Sequence, residues 1–169
     1  NIELYACERD LIVVMPSGLN AMYENWGNFC LGYQCFNFLF DELMPLVYNW
    51  FPASSDPKDN FIAGLSMGGL LAIKVAAELP VKKAAILSPP MFVFDKRVPF
   101  IPFLRFFIPV LKKRKRNYRV VEKYNLAYDI MPTKPLGSLF KLVDICKKQL
   151  LKKITAPCIV LQSKIEHTV

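Results

Sequence analysis

The chain alternates short apolar runs with helical repeats and turn clusters. Leu11-Ile12-Val13-Val14-Met15 is a continuous apolar run closed by Pro16-Ser17-Gly18, which predicts a strand buried on both faces, as in a parallel sheet. Residues 60–65 predict a second buried strand and Lys83–Leu87 a third, ended by Ser88-Pro89-Pro90. Residues 154–162 give a fourth. Residues 1–9 read as the end of a helix, with Ile2, Leu4 and Tyr5 as buried positions. Residues 20–34 read as a loop holding Tyr23, Trp26 and Tyr33. Phe36, Leu39, Phe40, Leu43 and Val47 recur at helical spacing and predict a helix over 36–50, with Asp41 and Glu42 facing away. Pro45 should kink that helix or end it early. Residues 67–79 predict a helix rich in Ala and Leu, closed by Pro80. From Met91 to Leu150 the pattern is helical and irregular, without alternation. Strands that are continuous apolar runs, separated by helices, predict a doubly wound α/β sheet.

Length and composition narrow the class. The 169 residues are 53% hydrophobic and 21% charged, which fits one packed domain and excludes disorder. No stretch reaches the roughly 18 apolar residues needed to span a bilayer. The first residues show neither a basic region nor a small-residue cleavage site, and the chain does not open with Met. Cys7, Cys30, Cys35, Cys146 and Cys158 form no C-x-x-C or zinc spacing, so they read as reduced, mostly buried thiols of a cytoplasmic protein. With a single histidine and no cysteine pairs, no metal site is expected.

Charge is uneven along the chain. Residues 1–80 carry 3 basic and 9 acidic side chains, while residues 81–169 carry 19 basic and 5 acidic ones. The densest run is Lys112-Lys113-Arg114-Lys115-Arg116, with Arg119 just beyond. It reads first as a solvated helix face and second as a weak contact for an anionic surface; no nucleic-acid partner is expected.

The chemically informative stretch is Phe61-Ile62-Ala63-Gly64-Leu65-Ser66-Met67-Gly68-Gly69, which contains G-x-S-x-G as Gly64, Ser66 and Gly68. An apolar strand leads in and an apolar helix leads out, the context that a nucleophile elbow requires. Ser66 is expected in a strained turn, with Gly64 and Gly68 removing side chains that would collide with the neighbouring strand and helix. Its hydroxyl would project at the carboxyl end of the sheet, and the N–H of Met67 could donate to a developing oxyanion. No phosphate-binding glycine pattern follows any strand.

Here the chain resembles known families. Residues 1–77 resemble bacterial tributyrin esterases of the esterase D group, through L-I-V-V-M-P-S-G-L-N, F-N-F-L-F-D-E-L-M-P, W-F-P-A-S-S-D and F-I-A-G-L-S-M-G-G. Residues 66–169 are similar to bacterial carboxylesterases of the monoacylglycerol lipase type, through L-S-M-G-G, A-A-I-L-S-P-P-M and I-T-A-P-C-I-V-L-Q-S-K-I-E-H-T-V. The two meet at the shared L-S-M-G-G, which with the charge step predicts a composite chain. The resemblance implies a partial α/β-hydrolase core and serine ester hydrolysis without a cofactor. It implies Ser66 as nucleophile, an elbow built with Gly64, Gly68 and Gly69, and Glu166 as the triad acid, counted from Gln162-Ser163. The other reading of Glu166 is a charged loop residue. The family's catalytic histidine and first oxyanion donor find no match in these residues. His167 sits beside Glu166 and is not expected to face both the acid and the serine.

The expected organisation is a hydrolase core of residues 1–91 and 151–169, with a helical cap at 92–150. Phe100, Phe103, Phe106 and Phe107 read as acyl-pocket or lid residues, or as cap core. The substrate class is a small-molecule carboxylic ester of short to medium acyl chain. A thioesterase or acyltransferase with the same nucleophile, and a non-catalytic binding module with a basic cap, are the alternatives.

Overall fold

The computed structural model describes residues 2–18, 23, 25, 34–92, 100, 103, 107–112 and 130–163. The chain divides into two compact units, residues 1–60 and 61–169.

The first unit holds helix α1 (Ile2–Cys7) and a second helical stretch made of α2 (Cys35–Asn37), a wider π-type segment Phe38–Leu43 and α3 (Met44–Trp50). Pro45 does not end this stretch. It lies inside this continuous helical run, directly after the wider turns of Phe38–Leu43, whose altered bonding accommodates a residue without an N–H. Asn25 caps the start of α2 from a distance: its side-chain oxygen accepts from the N–H of Phe36 (2.9 Å) and of Asn37 (3.2 Å). Cys35 is buried against Tyr23 and Leu39, and Val47 is buried further on. Phe36 and Phe40 are exposed and lean on each other, with ring centroids 4.5 Å apart.

Two expectations fail in this unit. Leu11–Met15 forms no strand, and all five side chains are exposed. A run of apolar residues becomes a strand only where another strand accepts its backbone groups, and none of the described strands pairs with it. Ile2, Leu4 and Tyr5 are exposed rather than buried, and no residue of α1 is fully buried.

The second unit contains a three-stranded parallel sheet, β1 (Phe61–Leu65), β2 (Lys83–Leu87) and β5 (Cys158–Leu161), in the order β1-β2-β5. Phe61 pairs with Lys83 and Leu65 with Leu87; Ala84 pairs with Cys158 and Leu87 with Leu161. Helix α4 (Met67–Glu78) connects β1 to β2. Helix α5 (Thr133–Ile145) continues through a π-type segment, Cys146–Leu150, and a 3-10 turn, Leu151–Lys153, before β5. One core joins them: Leu70, Ala72 and Ile73 of α4, Ile86 of β2, and Val143, Cys146 and Leu150. The last third of the segment expected as a cap therefore packs on the helix that follows β1.

Helix α4 lies against the sheet face carrying Ile62 and Ile86, and residues 143–150 pack on α4 in the same core. The strands are consequently not buried on both faces. In β1 exposure alternates, and Phe61 (52%) and Leu65 (67%) face outward. The segment read as helical and irregular, without alternation, also contains an antiparallel pair, β3 (Val110–Lys112) with β4 (Ile130–Pro132). Thr133, buried, ties α5 to this ribbon: its hydroxyl donates to the carbonyl of Ile108 at 2.7 Å, and its N–H to that of Pro109 at 3.0 Å. Three-residue strands are too short to show alternation. Phe100, Phe103 and Phe107 are exposed, which excludes the cap-core reading for these three; Phe106 lies outside the described residues.

Of the five cysteines, Cys30 lies outside the described residues, Cys35 and Cys146 are buried, and Cys7 and Cys158 are exposed; no disulfide joins these four. Burial pushes the Cys146 thiol up to about 11, with Lys74 opposing and Glu78 reinforcing the shift. The thiolate is the reactive form, so Cys146 stays unreactive at neutral pH. Iodoacetamide at pH 8 is expected to modify Cys7 and Cys158 in the native protein and to reach Cys146 only after denaturation, as read by peptide mass mapping. Because the raised value belongs to the folded state, this thiol opposes unfolding least as pH climbs from 9 to 11, and stability should fall across that window. No helix among the described residues is long and apolar enough to cross a membrane.

Candidate functional site

The turn between β1 and α4 is built around one close backbone approach. Gly64 lies so near the Gly68 carbonyl that a Cβ on Gly64 would run into it. Only glycine allows the strand and the first turn of the helix to meet this closely. Between them Ser66 takes φ 54° and ψ −118°, a conformation that non-glycine residues rarely adopt. Such strain costs on the order of 1–3 kcal/mol and persists where the surroundings fix it. Here two hydrogen bonds do so. The Ser66 N–H donates to the Leu87 carbonyl at 2.8 Å, and the Gly69 N–H donates to the Ser66 carbonyl at 2.9 Å. The first bond extends the β1–β2 ladder by one residue and sets Ser66 at the carboxyl edge of the sheet, exposed.

The two flanking glycines do different work. A Cβ on Gly68 would meet nothing within 4 Å among the described residues, so Gly68 is not needed for side-chain clearance, contrary to the sequence expectation. It is the backbone of Gly68 that demands a glycine at 64. Gly69 is tight: a Cβ there would sit 3.3 Å from the Leu87 carbonyl oxygen and from Pro89 Cβ. Gly69 thus lets the start of α4 pack against the end of β2.

Met67 opens α4, so its N–H is one of the first-turn donors with no acceptor inside the helix. This donor and the positive end of the helix dipole favour negative charge close to Ser66. Ser88 ends β2 as Ser66 ends β1. It too has positive φ, 42°, and its N–H donates to the Leu161 carbonyl at 2.7 Å. The sequence offered no sign of this conformation, since serine, unlike glycine, does not advertise it. Glu166 and His167 lie outside the described residues. A cavity of about 450 Å³ opens on the sheet between Phe61, Lys83, Pro157 and Cys158. It lies at the amino ends of the strands, away from Ser66, and contributes nothing to this site.

Two solved structures share the fold. One, from work on LipS and LipT, two metagenome-derived lipolytic enzymes, superposes with a TM-score of 0.56 at 22% identity, over 64% of this chain and 45% of that one. The other is FphF, a fluorophosphonate-binding serine hydrolase of Staphylococcus aureus with substrate bound; its TM-score is 0.50 at 23% identity, over 94% of this chain and 55% of that one. The parallel sheet, its packed helices and these neighbours define a partial α/β fold of the hydrolase type. The family model Esterase, described as "Putative esterase", matches residues 3–126, and the chain belongs to that family. The matched span includes L-S-M-G-G, where the two sequence resemblances meet. No curated protein matches the chain. The chain spans about half the length of the two neighbours.

Proposed function

We propose that the protein hydrolyses carboxylic esters of short to medium acyl chain through an acyl-enzyme on Ser66. The observation that carries the reading is Ser66 itself: a serine held at positive φ, exposed, between a parallel strand and the helix that follows it. That is the geometry of a nucleophile elbow. Membership of the esterase family supports the reaction class.

In this mechanism the Ser66 hydroxyl loses its proton to a general base as its oxygen attacks the ester carbonyl carbon. The carbonyl π electrons move onto oxygen, and the Met67 N–H donates to the resulting oxyanion. Collapse expels the alcohol, which takes the proton from the base. Water then attacks the acyl-enzyme by the same route and releases the carboxylic acid. Glu166 is assigned as the acid that orients the base, and no cofactor enters. Of residues 92–150, the part ahead of α5 is read as a cap, with the exposed Phe100, Phe103 and Phe107 offering apolar surface to an acyl chain, while α5 and its continuation belong to the core. The basic run beginning at Lys112 would add a weak attraction to anionic surfaces. Cysteines kept as thiols suit a cytoplasmic setting.

Rapid mixing of the protein, expressed from its complete reading frame, with p-nitrophenyl esters tests this reading. The expected result is a burst of p-nitrophenol stoichiometric with protein, and faster steady turnover of butyrate and octanoate than of palmitate. Absence of both burst and turnover would favour a non-catalytic binding module.

A further inference from the structure

The amino edge of the parallel sheet is basic. Lys82-Lys83 open β2 and Lys152-Lys153 precede β5, and these two strands are neighbours, with Ala84 paired to Cys158. The Ala84 N–H donates to the Pro157 carbonyl at 3.1 Å, which fixes the approach to β5 beside the start of β2. The short link 154–157 keeps Lys153 within about 17 Å of Cys158. All four lysines are exposed, so they gather at one edge. Just before Lys152, Cys146 and Leu150 belong to the core, while Lys147, Lys148 and Leu151 are exposed.

Little negative charge offsets these lysines. Among the described residues of the second unit the acidic side chains are Glu78 and Asp144. Each already meets a lysine one helical turn away, Lys74 at 2.6 Å and Lys148 at 3.3 Å. Apolar side chains are interleaved with the cations. Lys82 lies over the exposed Phe61 ring, 5.7 Å from its centroid, and Lys147 over the exposed Phe92 ring, 4.5 Å from its centroid. Leu151 and Ile159 are exposed as well.

We propose that this edge docks on an anionic phospholipid bilayer. Anionic headgroups complement the lysines, and the apolar layer beneath them accepts exposed Phe and Leu side chains. The cations gathered here are all lysines, point charges suited to a diffuse negative surface rather than forks for one phosphate. A nucleic acid matches less well, because one face of each phenylalanine ring already carries an ammonium group and is closed to a stacked base. Ser66 stands at the opposite edge, five strand residues or about 17 Å away, so a chain held here turns Ser66 from the bilayer. The surface is separate from the basic run beginning at Lys112, and the proposal does not depend on the reading of Ser66.

The test is co-sedimentation of the protein, expressed from its complete reading frame, with two kinds of vesicle. One is two parts phosphatidylcholine to one part phosphatidylserine, the other phosphatidylcholine alone. Binding is expected to the first and not the second, and it should weaken as salt is raised. The variant Lys82→Gln/Lys83→Gln/Lys152→Gln/Lys153→Gln should bind the anionic vesicles at least about tenfold less, with an unchanged thermal midpoint. Either lysine pair changed alone should give part of that loss, which keeps the test decisive if the fourfold variant folds poorly. Changing Lys112, Lys113, Lys115 and Arg116 to Gln removes the same charge and should cost less. No binding to the anionic vesicles, equal binding to both kinds, or a larger loss from the Lys112 set overturns the proposal. So does binding of polyuridylate through the same four lysines without binding of vesicles, which would make the partner a nucleic acid.

Discussion

Ser66→Ala is expected to abolish ester turnover while leaving the fold intact. The hydroxyl is the only group the substitution removes, and alanine can occupy the same turn, because the strain there belongs to the backbone and is fixed by the bonds to Leu87 and from Gly69. Removing the nucleophile of the subtilisin triad costs on the order of a millionfold in kcat, and what survives comes from the oxyanion site and binding. A loss of that order is predicted for p-nitrophenyl butyrate, with circular dichroism and the thermal midpoint unchanged. Activity within a few-fold of wild type would mean that another residue attacks the ester.

The second large effect falls on Gly64. A Cβ at this position has nowhere to go, because what it meets is the Gly68 backbone and the Gly69 nitrogen rather than a movable side-chain end. Gly64→Ala must push β1 and α4 apart. Overpacking costs typically 1–3 kcal/mol and more where backbone must shift, so a loss of about 3 kcal/mol or more is expected. For a chain of this size that lowers the thermal midpoint by on the order of 10 °C. The same shift displaces Ser66 from the Leu87 carbonyl, so activity falls with stability. Gly68→Ala is the contrast. With open space around its Cβ and a helical position, it should be neutral or stabilising by about 0.5–1 kcal/mol. Equal midpoint shifts for the two variants would contradict the assigned roles.

The strand, turn and helix around Ser66 were legible because their signals are local: an apolar run, a glycine pair, then an Ala- and Leu-rich repeat. The asymmetry between Gly64 and Gly68 was not legible. The motif is symmetric in sequence, but the two Cβ directions differ, and only one points at backbone. Leu11–Met15 shows the other limit. Its apolar run is as strong as that of β2, yet strand formation depends on a partner elsewhere in the chain, which a run of side chains does not encode. The exposed face of β1 has the same origin: α4 covers one side of the sheet, and no described element covers the other at Phe61 and Leu65, a matter of connection rather than of pattern. The β3–β4 pair is held by three residues a side and by the buried Thr133, signals too short to stand out in an irregular segment. Ser88 was invisible because its unusual φ comes from the ladder bond to Leu161 and the prolines behind it, not from its residue type.

The most direct measurement is the site of covalent capture. The protein from its complete reading frame, incubated with a fluorophosphonate, digested and mapped by mass spectrometry, should carry one adduct, on Ser66, and Ser66→Ala should carry none. An adduct on any other residue, or equal labelling of wild type and Ser66→Ala, would contradict the account.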